Sequence, residues 1–161
     1  MKKLLIISLL IGFIIAESDY SKNLTKHNLT IGYIDDRTGH SIFSYTNNFK
    51  QTEKNEYFIG VGTLLPVGLM GLTPTLGLQH YFWKSKISIS STSSTKLYYM
   101  QVFDYGSLSG FMLSTSLTIE YNITDWVQIK FGGFGALNIP FDKQGDFGIL
   151  PFPFIGLNFI Y

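Results

Sequence analysis

The sequence predicts an all-β fold, a closed antiparallel up-and-down barrel of about eight strands. Apolar residues recur at every second position in several segments of about ten residues, which is the period of a β-strand with two unlike faces. Aromatic residues make up 16% of the 161 residues, glycine occurs 16 times, and charged residues make up only 14%. Many aromatic and glycine residues with few charges favour a β-sheet in an unusual solvent over a soluble helical domain.

The clearest alternation lies in the segment 109–122, which we predict to be one strand. Its odd positions are mostly apolar, and its even positions are mostly Ser, Thr, Glu or Asn. The cluster 122–125 is typical of a tight turn, and a second alternating segment starts at Trp126. The two segments together predict a β-hairpin.

The same alternation predicts the other strands, although one segment is ambiguous. In 86–103 the apolar residues move from odd to even positions across a Ser/Thr tract. A β-bulge would shift the phase within one strand, whereas a loop would divide the segment into two strands. We prefer one bulged strand because single-chain bacterial membrane barrels have even numbers of strands. The expected strands are 28–34, 41–47, 56–65, 74–83, 86–103, 109–122, 126–138 and 152–161.

The first residues predict export. Two lysines precede an uncharged, mostly apolar run at 4–15, and Ala16 follows, which is the order of a secretory signal peptide. The run is shorter than the roughly 20 apolar residues that a spanning helix requires. We therefore expect a signal peptide at 1–16, a periplasmic leader at 17–27 and the barrel at 28–161.

The two faces of the predicted strands indicate a transmembrane barrel. One face carries Leu, Ile, Val, Phe and Tyr, and the other carries Gly, Ser, Thr, Gln and Asn with few charges. A water-exposed face normally carries many charges, so the small polar face suits a crowded lumen and the apolar face suits lipid. A sheet in lipid must also close, because each unpaired backbone group costs several kcal/mol there. The expected lipid-facing residues are Leu117, Ile119, Val127, Ile129, Phe131, Ile155, Leu157 and Phe159.

The polar face predicts a hydrogen-bonded lumen without a wide pore, because an eight-stranded barrel has room for little more than its own side chains. The hairpin would set Glu120 opposite Gln128 and diagonally near Lys130. A contact between Glu120 and Lys130 would be either a gate or a structural buried pair, and the structural role is favoured. The expected lumen residues are Gln79, Gln101, Glu120, Gln128 and Lys130.

The connections follow from placing both ends of the barrel in the periplasm. Connections after odd-numbered strands then face outside, and none of them is long enough for an extended binding loop. Pro151 and Pro153 would lie at the outer rim, because proline removes a ladder donor. The polar segment 48–56 would be a long periplasmic turn. The expected external connections are 35–40, 66–73, 104–108 and 139–151.

The last residues resemble a known class of proteins. The segment 155–161 alternates apolar residues and ends on an aromatic residue, like the assembly signal of bacterial outer-membrane barrels. Its most common last residue is Phe, so Tyr161 is a mild departure. The hairpin 117–131, in which Trp126 follows the turn, also resembles this class. The mature chain is similar in architecture to the OmpA/OmpX-type eight-stranded barrels. The resemblance implies the outer membrane of a bacterium and recognition of Leu157, Phe159 and Tyr161 by the barrel-assembly machinery.

Signs of chemistry are few. The chain has no cysteine, which excludes a thiolate metal site or a cysteine nucleophile, and its net charge of +1 leaves no footprint for nucleic acid. Asp35, Asp36, His40 and Ser41 would share an external loop, but neighbours on a strand point to opposite faces, which is poor geometry for a base and a nucleophile. His80 would lie at the membrane interface. We expect no catalytic, cofactor-binding or metal-binding residues.

The leading hypothesis is a monomeric, non-enzymatic outer-membrane barrel whose partner is the lipid bilayer and whose role is structural or a surface interaction. Two alternatives stay open. One is an outer-membrane lipid-modifying enzyme that performs acyl transfer or deacylation. The other is a secreted lipocalin-like carrier, which would have an apolar cavity inside and its polar face outside.

Overall fold

The structure is a computed structural model, and it describes residues 26–39, 41–64, 69–102, 106–141 and 148–161. The expected signal peptide at 1–16 lies outside the described residues, as does most of the expected leader. No helix in the part of the chain that is described is long and apolar enough to cross a bilayer.

Eight strands pair side by side in the order of the sequence, and β8 returns to pair with β1. Every pair is antiparallel, so the predicted closed eight-stranded barrel is confirmed. The strands are β1 Lys26–Tyr33, β2 Phe43–Gln51, β3 Asn55–Leu64, β4 Leu69–Trp83, β5 Ile87–Val102, β6 Gly106–Asn122, β7 Val127–Pro140 and β8 Gly148–Ile160.

The wall of the barrel is uneven in height. β1, β2 and β3 have 8, 9 and 10 residues, whereas β4, β5 and β6 have 15, 16 and 17. A strand rises about 3.3 Å per residue, so the strands of the tall side are longer by roughly 20 Å. The connection between β1 and β2 therefore lies on the side of the barrel where the strands are short.

Three short turns, 52–54, 84–86 and 123–126, lie at one end of the barrel, which we name the short-turn rim. β1 begins and β8 ends at this rim, where the backbone N–H of His27 donates to the carbonyl of Tyr161 at 2.9 Å. The expected long polar turn at 48–56 is wrong. β2 continues to Gln51 and β3 starts at Asn55, so polar residues continue the two strands.

β5 is one strand without a bulge. Its pairing with β6 is uninterrupted from Ile87 opposite Tyr121 to Val102 opposite Gly106. The expected change of phase within 86–103 is therefore wrong.

The two prolines of β8 lie within the strand and not at the outer rim, which corrects the expectation. Pro153 pairs with Gly133, and Pro151 pairs two residues further along. The backbone N–H of Tyr161 points toward β1. Backbone nitrogens alternate in direction along a strand, and both prolines lie an even number of residues from Tyr161. Their nitrogens therefore also face the β1 side. Pairing with β1 ends at Ile155, and the missing donors consequently cost no ladder hydrogen bond.

Candidate functional site

The barrel has a polar interior and an apolar exterior. Ser116 and Thr118 are buried inside at 4% and 0% exposure, while Leu117 between them is 57% exposed. All eight residues that were expected to face lipid occupy outward positions, and Ile155 reaches 60% exposure. This arrangement is the reverse of a carrier with an apolar cavity and a polar surface.

Four of the five expected lumen residues lie inside the barrel. Gln79, Glu120, Gln128 and Lys130 are buried. Gln101 is exposed on the outer face of β5, so its expected place in the lumen is wrong. The error has a physical reason: the even, apolar positions near the end of β5 point inward and not toward lipid.

The hairpin of β6 and β7 has a different register from the expected one. Glu120 lies directly opposite Lys130, and Gln128 lies opposite Asn122. The turn occupies 123–126 and β7 starts one residue later than expected. The ammonium of Lys130 lies 3.6 Å from a carboxylate oxygen of Glu120, which makes them a directly cross-strand buried ion pair.

The connection between β1 and β2 folds into the lumen, which corrects its expected external position. Residues 34–39, which we name the inward loop, are all buried. Ile34 and Gly39 take left-handed backbone conformations, with φ of 61° and 80°. The backbones of Asp35 and Gly39 exchange two hydrogen bonds of 2.8 and 2.7 Å. The carboxylate of Asp35 also accepts from the hydroxyl and backbone N–H of Thr38, at 2.8 and 3.1 Å, which fixes the turn.

Arg37 at the tip of the inward loop is the centre of the polar lumen. All five of its N–H donors have acceptors on the surrounding strands. The distance to the carboxylate of Glu56 is 2.8 Å, and the guanidinium lies 4.8 Å from the ring centroid of Phe58. The acceptors are Thr46, Asn48, Glu56 and Gln79. Arg37 therefore ties the inward loop to β2, β3 and β4.

Asp36 ties the inward loop to the opposite wall. Its carboxylate accepts from Thr92 on β5 at 3.2 Å and from Thr118 on β6 at 3.4 Å. The ammonium of Lys130 on β7 lies 3.4 Å from its other oxygen. Together with Glu120, Asp36 gives Lys130 two anionic partners, so the loop crosses the whole lumen.

The buried charges nearly compensate one another. Among the described residues, four acids are buried, Asp35, Asp36, Glu56 and Glu120, together with three cations, Arg37, Lys96 and Lys130. The fourth positive charge comes from the half-exposed Lys84, whose ammonium lies 3.1 Å from Glu56. Buried ions are tolerated when they are paired and hydrogen-bonded, and Arg37, Asp36, Glu56, Glu120 and Lys130 are so paired. Among the described residues, Asp35 and Lys96 have hydrogen-bond partners but no ion pair within 4 Å.

The lumen has a second, apolar half toward the end opposite the short-turn rim. Its buried members are Ile34, Tyr98, Met112, Phe134, Ala136 and Phe154. The ammonium of Lys96 lies 4.5 Å from the ring centroid of Phe134 and donates to Ser114 at 2.6 Å. Lys96 therefore marks the boundary between this apolar half and the polar half, which we define by Arg37, Asp36, Glu56, Gln79, Glu120 and Lys130.

The residues weighed for hydrolysis do not form a nucleophile and base where the structure describes them. The hydroxyl of Ser41 is buried and lies 3.1 Å from that of Thr73. His27 contacts Tyr45, and His80 on β4 near the short-turn rim contacts Asn55, while His40 lies outside the described residues. Within the described ranges, no group of three or more His, Cys, Asp or Glu residues is placed to hold a metal ion.

Sequence reasoning missed Arg37 as the central residue. The available signal was the run of three charges at 35–37 between two short strands. A run of that kind in a chain with few charges is either a solvated loop or a group of buried partners, and the run alone does not separate the two.

The fold and its filled lumen define a small, closed, eight-stranded antiparallel barrel. No family model and no curated protein matches the sequence. The N-terminal β-barrel domain of Pseudomonas aeruginosa OprF is similar in fold, with 14% identity, a TM-score of 0.54, and coverage of 88% of this chain and all of that chain (100%). A major outer membrane protein from Thermus thermophilus matches with 9% identity, a TM-score of 0.45, and coverage of 86% and 100%.

Proposed function

We propose that the chain is a bacterial outer-membrane β-barrel with a closed lumen and a non-enzymatic role, either structural or in a surface interaction. The observation that carries the proposal is the reversed placement of side chains. Buried positions hold carboxylates, amides and hydroxyls, while outward positions hold residues such as Leu76, Leu117 and Ile155, each at least 45% exposed. Water would penalise this exterior, whereas lipid favours it.

The placement of surface charge supports the same proposal. Among the described residues, every exposed charged side chain lies at the short-turn rim. The outer wall between the ends carries none in those residues, and a Lys or Arg at the bilayer midplane would cost about 2–4 kcal/mol. The exposed charged residues are Lys50, Glu53, Lys54, Lys84, Lys86 and Asp125.

The filled lumen favours a structural role over transport. Beneath Arg37, a cavity of about 50 Å³ is lined by polar side chains that include Asn28, Glu56 and Glu120. That volume holds a few water molecules. An ion would have to displace the inward loop to pass further, and the apolar half lies beyond it.

Two parts of the sequence support the proposed location in the outer membrane. The segment 1–16 has the order of a signal peptide. β8 presents Leu157 and Phe159 outward, followed by the exposed Tyr161. These three residues are where we propose that the barrel-assembly machinery reads the strand.

Fractionation tests the proposal directly. Expressed in a Gram-negative host, the protein should sediment with the outer membrane, and the unboiled protein should migrate on a denaturing gel differently from the boiled protein. A soluble periplasmic or secreted product would contradict the membrane location. Lipid analysis of cells with and without the protein tests the non-enzymatic role, and a changed acyl pattern would contradict it.

A further inference from the structure

The short-turn rim carries an excess of positive charge. Setting aside Lys84, which pairs with Glu56, the rim has four lysines, Lys26, Lys50, Lys54 and Lys86, and two acids, Glu53 and Asp125. None of these six side chains forms an ion pair with another described residue. In the sequence alone, the segments 103–105 and 142–147, which lie outside the described residues, have the opposite balance, with three Asp and one Lys.

Two irregularities of the sheet turn residues outward at this same rim. In β2, the register shifts between Asn48 and Lys50, so that Lys50 pairs with the outward-facing Tyr57. Strict alternation from the buried Asn48 would have pointed Lys50 into the lumen. A bulge re-aims a side chain in this way at the cost of one unpaired residue, which here is Phe49.

The second irregularity acts on an aromatic residue. In β4, the register shifts between Tyr81 and Trp83, and Trp83 pairs with the outward-facing Ile89. Alternation from the buried Tyr81 would have placed Trp83 inside, yet it is 64% exposed. These are the two register shifts among the described strand pairs. Both register shifts therefore place a side chain on the outer surface of the short-turn rim, a cation in Lys50 and an indole in Trp83.

Two outward cations of the short-turn rim, Lys50 and Lys86, lie over tyrosine rings. The ammonium of Lys50 is 5.3 Å from the ring centroid of Tyr57, and that of Lys86 is 5.7 Å from the ring centroid of Tyr121. Each of these charges thus lies beside an aromatic residue of the wall. Tyrosine and tryptophan favour the membrane–water interface, so the ammonium groups are held at the level of the lipid headgroups.

We propose that the short-turn rim is a binding surface for the phosphates of anionic phospholipids in the leaflet that it faces. The inference rests on the proposed membrane location. Lysine ammonium groups bind phosphate as point charges, and basic residues beside an anionic membrane surface attract its lipids. The bulge at Lys50 and the two lysine–tyrosine contacts orient the charges of Lys50 and Lys86 toward the lipid and not into the lumen.

The chain carries its own probes for the test. Its two tryptophans, Trp83 and Trp126, both lie at the short-turn rim and are 64% and 58% exposed. The folded protein is reconstituted in vesicles that mix phosphatidylcholine and phosphatidylglycerol, with bromine on the acyl chains of one lipid or the other. Tryptophan quenching then gives the relative binding constant of the anionic lipid at the rim.

The expected relative binding constant is about fivefold in favour of phosphatidylglycerol, the effect of one lysine at full strength. It should fall to about one in K50Q/K54Q/K86Q, and also in about 1 M NaCl, where the screening length is ~3 Å. The matched control E53Q/D125N removes only acids and should raise the preference. All of the substituted residues lie outside the lumen network, so the variants leave the buried charges in place.

The outcomes separate this inference from the proposed function. Equal quenching by the two brominated lipids would overturn the headgroup site and leave the barrel in the bilayer. Absence of quenching by either lipid would overturn the membrane location and the site together. If K50Q/K54Q/K86Q does not fold, a lack of any gain in E53Q/D125N would overturn the site independently.

Discussion

The half of the lumen nearest the short-turn rim is held by paired charges, whereas the other half is held by packing. In the polar half, Arg37 uses every donor and Lys130 lies between two carboxylates. In the apolar half, Tyr98, Met112 and Phe134 fill the space with side-chain volume. The contribution of the polar half to the free energy of unfolding therefore depends on the presence of each charged partner. The contribution of the apolar half depends on how completely its side chains fill the space. A small barrel thus uses both means to fill one lumen.

Arg37→Ala should have the largest effect, because Glu56 loses its buried cation and keeps only the half-exposed Lys84. The buried acceptors on Thr46, Asn48 and Gln79 lose their charged donor as well. Removal of one partner of a buried pair costs about 3–5 kcal/mol, so the free energy of unfolding in denaturant titrations of the reconstituted barrel should fall by that amount. Single-channel conductance should rise, because the inward loop loses its attachment to β2, β3 and β4.

Arg37→Lys is the matched control for that variant. Lysine keeps the charge but has three donors where arginine has five, so the unfolding free energy should fall by less than in Arg37→Ala. Equal losses for the two variants would contradict the role of the forked donors. An unchanged unfolding free energy in Arg37→Ala would contradict the pairing that defines the polar half.

Met112→Ala tests the apolar half and should have the next largest effect. A methionine-to-alanine change in a packed interior costs about 2–5 kcal/mol, and the lower end is expected here because water can enter a barrel lumen from its end. Conductance should stay at the wild-type level, because Arg37 still closes the polar half. A rise in conductance equal to that of Arg37→Ala would show that packing, and not the charge network, is the barrier.

Glu120→Gln should have a smaller effect. The change keeps the size of the side chain, and Lys130 keeps its second partner, Asp36, at 3.4 Å. A hydrogen bond to a charged group contributes about 1.5–3 kcal/mol, and we expect a loss near the lower end of that range. Single-channel recording decides between the two roles considered for the Glu120–Lys130 pair. An unchanged conductance removes the gate, and a changed one removes the purely structural role.

The sequence predicted the barrel and its orientation of faces because alternation is a local property. Leu117 between Ser116 and Thr118 identifies two faces without any knowledge of distant residues. The same rule fails at Gln101, because a change of phase within 86–103 that puts the apolar Tyr98 and Met100 on the lipid side puts Gln101 in the lumen. In the structure Tyr98 belongs to the apolar half and Met100 packs against it, so an apolar residue on a barrel strand does not by itself identify the lipid side.

The inward loop could not be predicted by the same reasoning. The placement of 34–39 depends on the unequal heights of β1 and β4, on acceptors from β2, β3 and β4, and on donors from β5, β6 and β7. Such contacts join residues as far apart in sequence as Asp36 and Lys130. The residue types were visible at 35–37, but their partners follow only from the closed topology.

Lys54→Gln should have the smallest effect on stability and so completes the comparison between charges in the lumen and charges at the rim. Lys54 is exposed in a turn, and a surface substitution away from buried features changes the unfolding free energy by no more than about 0.5 kcal/mol. The same removal of one positive charge at the buried Lys130 would leave Asp36 and Glu120 without a cation. Denaturant titrations of Lys54→Gln and Lys130→Gln should therefore differ by several kcal/mol, of the order of a broken buried pair. Equal losses of unfolding free energy in the two variants would contradict a dry lumen. They would mean that water reaches Lys130 and screens its charge as it screens the charge of Lys54 at the rim.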